Sequence, residues 1–327
     1  MNWEEFAFVN QQLAGMLKSG IPLEGGLKQL CASMRRGALR TELERLEADL
    51  AKGVPLKDAL AARELPAFYV SMVRAGVQSG DLPGVLIAVA DYYTRAHSLG
   101  TRLKGILVYP TIVLVVCLLL TLFFSYGLGA LAGALPGDAG IADEQWLMGV
   151  RAGLWLAPGL FGAGLLVGIV ALAVPQYRQA LRWRLPAFKE ASLSNVASTV
   201  SLLLRGGNTL KDSLELVRQM ERETPAGAEL AVWQERLAAG HAKVGDLAAG
   251  AQVFPPLFVW LAASGGENLA EGFTRAADIY YRRAVYRSEL FLYGALPIAI
   301  LFLGALVISQ TAAIFQGLVR FMDMLGG

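Results

Sequence analysis

The residues of this chain that could do chemistry are few and lie far apart. Its 327 residues include two cysteines, Cys31 and Cys117, and two histidines, His97 and His241. Their spacing matches no zinc or redox motif. A GxxxxGK[ST] phosphate loop, an HExxH helix and a Ser/His/Asp arrangement are also missing from the sequence. The sequence therefore offers no candidate catalytic residues, no metal site and no cofactor site, and without a phosphate loop the chain is not expected to power anything itself.

Charge-free segments dominate the hydropathy pattern. The chain is 55% hydrophobic and 17% charged, whereas typical soluble domains carry about 25% charged residues. Residues 106–131, 152–174 and 290–319 contain no charge at all. Each segment exceeds the roughly 20 residues that a helix needs to cross a bilayer, and in lipid a helix satisfies its own backbone. We therefore predict transmembrane helices at 105–131, 152–174 and 289–317.

Basic residues flank the predicted spans unevenly. Ten lie on one side: Arg95, Arg102, Lys104, Arg178, Arg182, Arg184, Lys189, Arg282, Arg283 and Arg287. The other side has Arg151 and Arg320. The positive-inside rule then places the N-terminus in the cytoplasm and the C-terminus outside. The predicted organisation is a cytoplasmic helical domain at 1–104, an external loop at 132–151, a second cytoplasmic helical domain at 175–288 and an external tail at 318–327.

One motif occurs twice in the sequence. SGDLPGVLIAVADYY at 79–93 returns as GENLAEGFTRAADIYY at 266–281, with Asp278 at the position of Asp91. The same offset of 187 residues pairs Gly20 with Gly207, Gly53 with Gly240, Leu82 with Leu269 and Pro110 with Pro297, without a gap. A constant offset over such a length indicates duplication of a whole unit. Each unit is a cytoplasmic domain followed by a span with a proline near its start.

The elements within each unit are predicted to be about six helices, because periodic leucines alternate with glycine and proline breaks. The fold class is therefore an all-α membrane protein with two repeated cytoplasmic helical bundles and three transmembrane helices. The spacing from Trp3 through Phe6 to Leu17 predicts an amphipathic first helix, which either packs in the bundle or lies on the membrane surface. Asp81 is expected to cap a helix that runs unbroken into the first span, and a second such helix starts near Asn268.

The order of these motifs resembles a known family. LAGMLKSGIPLEGGL, LAKGVPLKDAL, SGDLPGVL and LVYP follow one another as they do in type II secretion system F proteins. Where that family usually has Gly-Glu-x-Ser-Gly-x-Leu, this chain has Val77 in place of the glutamate. The residues that carry the resemblance, with structural or partner-binding roles, are Gly20, Pro22, Leu23, Gly53, Gly76, Ser79, Gly80, Asp81, Leu82, Pro110, Gly207, Gly240, Leu269 and Pro297.

The resemblance implies a platform protein of the bacterial inner membrane that is not an enzyme and forms part of a type IV pilus or type II secretion machine. Such a protein would couple a hexameric cytoplasmic assembly ATPase to the insertion of pilin or pseudopilin subunits into a filament. The implied partners are that ATPase, the pilin, other inner-membrane assembly proteins, membrane lipid and further copies of the chain. Direct contact with nucleic acid is not implied.

Several features leave alternatives open. Parallel repeats also occur in transporters, so a small-solute transporter or another membrane scaffold is the rival class. The spans lack the ionisable groups that transport sites use. The basic run Arg35, Arg36 and Arg40 is either a surface that faces the ATPase or an ordinary solvated one. Glycines in the spans permit close packing of helices, either within the chain or against a partner: Gly127, Gly129, Gly133, Gly159, Gly162, Gly164 and Gly168.

Overall fold

The computed structural model describes residues 3–134, 158–167, 169–170, 183–241 and 243–325. Every regular element in these ranges is a helix, which confirms the all-α prediction. The predicted external loop at 132–151 is described only at 132–134, and the second predicted span only at 158–167 and 169–170, where the chain is helical. The rest of those two segments lies outside the described residues.

The first repeat contains six helices, as the sequence predicts. They are α1 (Trp3–Lys18), α2 (Leu23–Ser33), α3 (Ala38–Ala51), α4 (Leu56–Ala61), α5 (Ala67–Ser79) and α6 (Leu82–Ala134). A short apolar helix follows, α7 (Pro158–Val167).

The second repeat has the same six helices in the same order. They are α8 (Pro186–Arg205), α9 (Leu210–Met220), α10 (Pro225–Ala238), α11 (Val244–Leu247), α12 (Pro256–Ala263) and α13 (Leu269–Leu325). The agreement in number and order supports the inferred duplication.

The last helix of each repeat is very long. Helix α6 has 53 residues and α13 has 57, so both continue without a break through the charge-free segments, as predicted. Pro110 and Pro297 both lie inside these helices. Among the described residues, one helix, Leu82–Gly127, is long and apolar enough to cross a membrane. Three membrane crossings stay a prediction.

The chain divides into two compact units. One comprises Met1–Arg102 and Gln179–Tyr286 and holds the helical bundles of both repeats. The other comprises Leu103–Arg178 and Arg287–Gly327. In this second unit Phe161 of α7 packs with Cys117 of α6, while Phe123 and Tyr126 are 74% and 78% exposed. Such exposed apolar side chains match a surface that meets lipid or another protein.

The bundles share one hydrophobic core that both repeats build in the same way. Equivalent residues are buried in pairs: Leu27 with Leu214, Leu43 with Leu230, Leu60 with Leu247, Leu86 with Phe273 and Tyr93 with Tyr280. Helix α1 buries Phe6, Val9 and Leu13, which confirms that it packs in the bundle. The ring of Phe6 lies 4.7 Å from that of Tyr69 and 4.8 Å from that of Tyr93.

Candidate partner-binding surfaces

The motif at 76–84 forms a tight turn between α5 and α6. Gly80 ends α5 with φ of 73°, a left-handed conformation that favours glycine. The carboxylate of Asp81 accepts a hydrogen bond from the backbone N–H of Gly84 at 2.9 Å, which confirms the predicted cap of α6. A Cβ atom at Gly76 would lie only 3.0 Å from the Cβ of Val85 and 3.2 Å from the Cα of Leu82. The residue types of this motif thus follow from the geometry of the turn.

Ser79 and Val77 complete the motif at the end of α5. The Ser79 hydroxyl donates to the Gly76 carbonyl at 3.3 Å, so it satisfies a terminal carbonyl of the helix. Val77, which replaces the family's glutamate, is 47% exposed. An apolar side chain therefore stands on the surface beside this turn.

The second repeat forms the same turn with one residue more. Gly266 takes the left-handed conformation of Gly80, with φ of 57°, and the Asn268 side chain accepts from the Glu271 N–H at 3.3 Å, as Asp81 does for α6. Gly80 and Gly266 are offset by 186 residues, whereas Asp81 and Asn268 are offset by 187. Glu267 is therefore an insertion in the turn.

The ungapped alignment is wrong just before that turn. The ring of Phe68 in α5 packs against Tyr93, and the ring of Phe258 in α12 packs against Tyr280, the counterpart of Tyr93, so these two phenylalanines are offset by 190 residues. A contact with an equivalent core residue identifies equivalent positions more directly than residue identity does, because the fold depends on how the core packs. Leu60 and Leu247 keep the offset of 187. The loop before α12 has eight residues, 248–255, whereas its counterpart before α5 has five, 62–66.

The other motif glycines also sit in left-handed turns. The φ values are 81° at Gly20, 84° at Gly207, 80° at Gly53 and 95° at Gly240. Pro22 precedes α2, and Leu23, Leu82 and Leu269 are the first residues of α2, α6 and α13. These positions set where helices end and begin. A partner would contact them only through the turns they form.

The arginines of the basic run differ in exposure. Arg35 and Arg36 are exposed in the loop between α2 and α3. Arg40 is partly buried, because it donates to the Met34 carbonyl at 2.8 Å and to the Glu44 carboxylate at 2.7 Å. Arg40 therefore holds the loop in place, and the free cations of this surface are Arg35 and Arg36 among the described residues.

The two repeats meet through a polar junction that the sequence did not indicate. Arg95 of α6 donates to Asp278 of α13 at 2.5 Å, and its guanidinium lies 6.0 Å from the centre of the Tyr281 ring. The hydroxyls of Tyr92 and Thr199 are 3.2 Å apart. Arg95 and Asp278 are 183 residues apart in the sequence, and Tyr92 and Thr199 are 107 residues apart. The periodicity of a single helix does not indicate pairs at such separations.

A cleft of about 500 Å³ also lies between the repeats, with walls from α5 and α9. Its first wall includes Ser71 and Arg74, and its second wall includes Asp212, Glu215 and Gln219. Hydrogen bonds from Arg218, Gln219 and Gln234 lower the pKa of Glu215 to about 2, so it is ionised at neutral pH. A cationic wall thus faces an anionic one across the cleft.

Metal chemistry has no support in the described part of the chain. There, no three His, Cys, Asp or Glu side chains come close enough to hold an ion. Cys31 and Cys117 are both free thiols, and burial raises the pKa of Cys31.

A duplicated helical bundle in which each copy ends in one long, largely apolar helix is the class that the fold defines. Residues 10–128 and 196–316 match the family described as type II secretion system (T2SS), protein F, with one match in each repeat. The matches cover more than half of the chain, which therefore belongs to the type II secretion system protein F family.

Individual relatives come from both kinds of machine. The chain is 27% identical to a type IV pilus assembly protein PilC of Thermus thermophilus, over 98% of this chain and 84% of that protein. It is 25% identical to a type II secretion system protein F of Vibrio cholerae, over 84% of this chain and 72% of the relative. A type 4 fimbrial assembly protein PilC of Pseudomonas putida is 29% identical, over 94% and 82% of the two chains.

Proposed function

We propose that this protein is an inner-membrane platform of a type IV pilus or type II secretion machine, which couples a cytoplasmic assembly ATPase to the insertion of pilin subunits into a filament. The observation that carries the proposal is the family match in both repeats. The relatives are named for pilus assembly in some organisms and for secretion in others. The protein itself is a non-enzymatic part of the machine.

The distribution of charge supports a division of labour along the chain. The unit that holds both bundles carries exposed ionic residues such as Arg35 and Arg36, which a soluble motor can reach. The charge-free part of α6 exposes Leu119, Phe123 and Tyr126 instead. We therefore assign ATPase binding to the bundles, and lipid and pilin contacts to the membrane helices, with the N-terminus cytoplasmic and the C-terminus external.

Glycines of the membrane segments support a partner contact at these helices. A Cβ atom placed on Gly127, Gly159, Gly162 or Gly164 would have no described neighbour within 4 Å. Packing within the described chain therefore does not account for these four glycines. Close approach over small residues is the attraction available between helices in lipid, and a pilin transmembrane helix is the partner that the function requires.

The test is recruitment of the cognate ATPase by the full-length protein. Arg35→Glu combined with Arg36→Glu should weaken co-purification of the ATPase, and the loss should shrink as salt rises, because exposed charges are screened. Arg45→Glu is the matched control, since Arg45 is also exposed, in α3, and pairs with Glu42 in its own helix. Crosslinking of pilin to the membrane helices should survive in both variants.

Two outcomes would count against the proposal. If the full-length protein retains no cognate ATPase at any salt concentration, coupling to a motor is wrong. If the double reversal binds the ATPase as well as Arg45→Glu does, the motor contacts another face of the bundles.

A further inference from the structure

The cleft between α5 and α9 is built by both repeats. Its volume of about 500 Å³ lies within the roughly 300–1,000 Å³ that is usual for ligand sites. Close to the cleft the two repeats touch directly, because a Cβ atom on Gly206 would lie only 3.2 Å from the Cβ of Ala75. Ala75 follows Arg74, which lines the cleft. A molecule seated in the cleft therefore contacts both repeats at once.

The wall from the first repeat holds one cation that is not compensated. Arg63 lines the cleft, but it pairs with the carboxylate of Asp49. Arg74 has no ion pair or hydrogen bond among the described residues, and its Nε atom is buried without a partner. Burial of a charged donor without an acceptor is unfavourable, and a planar guanidinium fits a carboxylate through two parallel hydrogen bonds. Arg74 is therefore suited to an acidic ligand group.

The wall from the second repeat holds one anion that is not compensated. Glu215 lines the cleft, but Arg218 donates to its carboxylate at 2.8 Å and two glutamine side chains donate as well. Asp212 is exposed and accepts from the Thr209 hydroxyl at 2.7 Å, yet it pairs with no cation in the described part of the chain. Asp212 and Arg74 do not pair with each other. Opposite charges thus stand on opposite walls, with open space between them.

The surface between these two charges is apolar and accessible. Leu65, Val70 and Leu216 line the cleft and are half-buried. Ala67 and Gln219, which also line it, are exposed, so the cleft is a groove on the surface and not an enclosed cavity. A groove of this kind suits a length of polypeptide, which offers several side chains in succession, better than a compact small molecule that a closed pocket would surround.

We propose that the cleft binds a peptide segment of a partner protein, which presents an acidic side chain to Arg74, an apolar side chain to the leucine-lined floor and a basic side chain to Asp212. Both polar contacts are charge-assisted hydrogen bonds. A segment with acidic charge alone is rejected, because Asp212 and Glu215 repel it. The bound segment holds the two repeats in one relative position. This site is separate from the Arg35 and Arg36 surface and does not depend on ATPase or pilin binding.

The first experiment identifies the occupant in membranes of the native host. The full-length protein carries a photo-crosslinking amino acid in place of Ala67 on one wall or Gln219 on the other, and captured segments are sequenced by mass spectrometry. Both positions should capture the same segment, with an acidic and a basic residue within a few positions of each other. Arg74→Gln and Asp212→Asn should each reduce capture about tenfold, because each removes a charged hydrogen-bond partner.

Matched controls separate the cleft from general surface charge. Lys211→Gln and Asp58→Asn remove exposed charges that do not line the cleft, and Asp58 lies in the first turn of α4 as Asp212 lies in the first turn of α9. Both controls should leave capture unchanged. Thermal unfolding of Arg74→Gln should show an equal or higher melting temperature, because no contact within the described chain is lost. A fall of several degrees would assign Arg74 to the fold and overturn its role in binding.

The second experiment uses the captured segment as a synthetic peptide and measures its binding to the purified full-length protein in detergent. Replacement of the acidic peptide residue by lysine should weaken binding about tenfold or more, and Arg74→Glu in the protein should restore binding of that altered peptide. Failure of this charge exchange to restore binding overturns the proposed pairing.

The other outcomes also decide the matter. The proposal is overturned if no protein segment is captured, if the segment lacks either charge, or if Arg74→Gln leaves capture intact. Capture of a second copy of this chain would show that the proposed occupant is wrong. If the segment behaves as expected while the ATPase fails to co-purify with the wild-type protein, the proposed function fails and the peptide site stands.

Discussion

Gly76 and Val85 pack so closely that a single added carbon would strain the turn between α5 and α6. A Cβ atom on Gly76 would lie 3.0 Å from the Cβ and 3.1 Å from a Cγ atom of Val85. In the second repeat Gly272 stands at the position of Val85, and a Cβ there would overlap the Ala262 carbonyl. In both repeats a glycine allows the last two helices to pack closely. The glycine is Gly76 of α5 in the first repeat and Gly272 of α13 in the second.

Gly76→Ala should destabilise the protein by about 1–3 kcal/mol, because the new methyl group overpacks a rigid contact. The measurement is thermal unfolding of the full-length protein in detergent, where the melting temperature should fall by several degrees. Gly100→Ala is the matched control, since Gly100 lies in α6 and a Cβ there would have no neighbour within 4 Å among the residues that the structure describes. That control should be neutral or stabilising because alanine favours a helix. Equal melting temperatures for the two variants would contradict the packing account.

Asp81→Ala should cost about 1 kcal/mol, because it removes the side chain that caps the first turn of α6. Asp81→Asn should be nearly neutral, since Asn268 caps α13 with the same kind of oxygen. Both variants are compared by thermal unfolding of the full-length protein, with Asn268→Ala as the parallel test in the second repeat. A loss of stability in Asp81→Asn as large as in Asp81→Ala would mean that the charge, and not the hydrogen bond, matters.

The buried tyrosines should make the protein sensitive to alkali. Burial raises the pKa of Tyr69 and of Tyr93 above the usual value of about 10. The pKa of each tyrosine is therefore higher in the folded protein than in the unfolded chain. The stability that the two neutral tyrosines contribute is intact below about pH 10 and is lost as the pH rises toward their pKa in the folded protein. Melting temperatures should therefore fall above pH 10, together with a rise in tyrosinate absorbance.

Tyr69→Phe supplies the control for this alkaline effect. The ring of residue 69 packs 4.7 Å from that of Phe6, and phenylalanine keeps that contact while it removes the ionisable hydroxyl. The variant should lose less stability than the wild type between pH 10 and higher pH. An identical alkaline decline in both proteins would show that other groups cause it.

Membrane topology is testable at the C-terminus. A reporter that is active only outside the cytoplasm, fused after Gly327, should be active, because ten flanking basic residues lie on the opposite side of the predicted spans. The matched fusion after Lys104 should be inactive, because that position precedes the first predicted span. Activity of a cytoplasm-only reporter at Gly327 would refute an odd number of crossings.

The three arginines of the basic run differ in the contacts that their side chains make. Arg35, Arg36 and Arg40 look alike in the sequence, and all three were candidates for one partner surface. Arg40 instead donates to the Met34 carbonyl, which lies six residues back, across the loop. Adjacent charge could be read from the sequence, whereas the direction of each side chain depended on how the loop folds.

Local periodicity and composition sufficed to predict the helices, the duplication, the cap at Asp81 and the two long helices, because each depends on residues within a few turns of one another. The change of offset before Gly266 depended on packing, since Phe258 takes the place of Phe68 through its contact with Tyr280, the counterpart of Tyr93. The Arg95–Asp278 pair and the cleft between α5 and α9 depended wholly on tertiary structure. They join residues more than a hundred positions apart, and only the docking of the two bundles in a shared core determines which exposed charges meet.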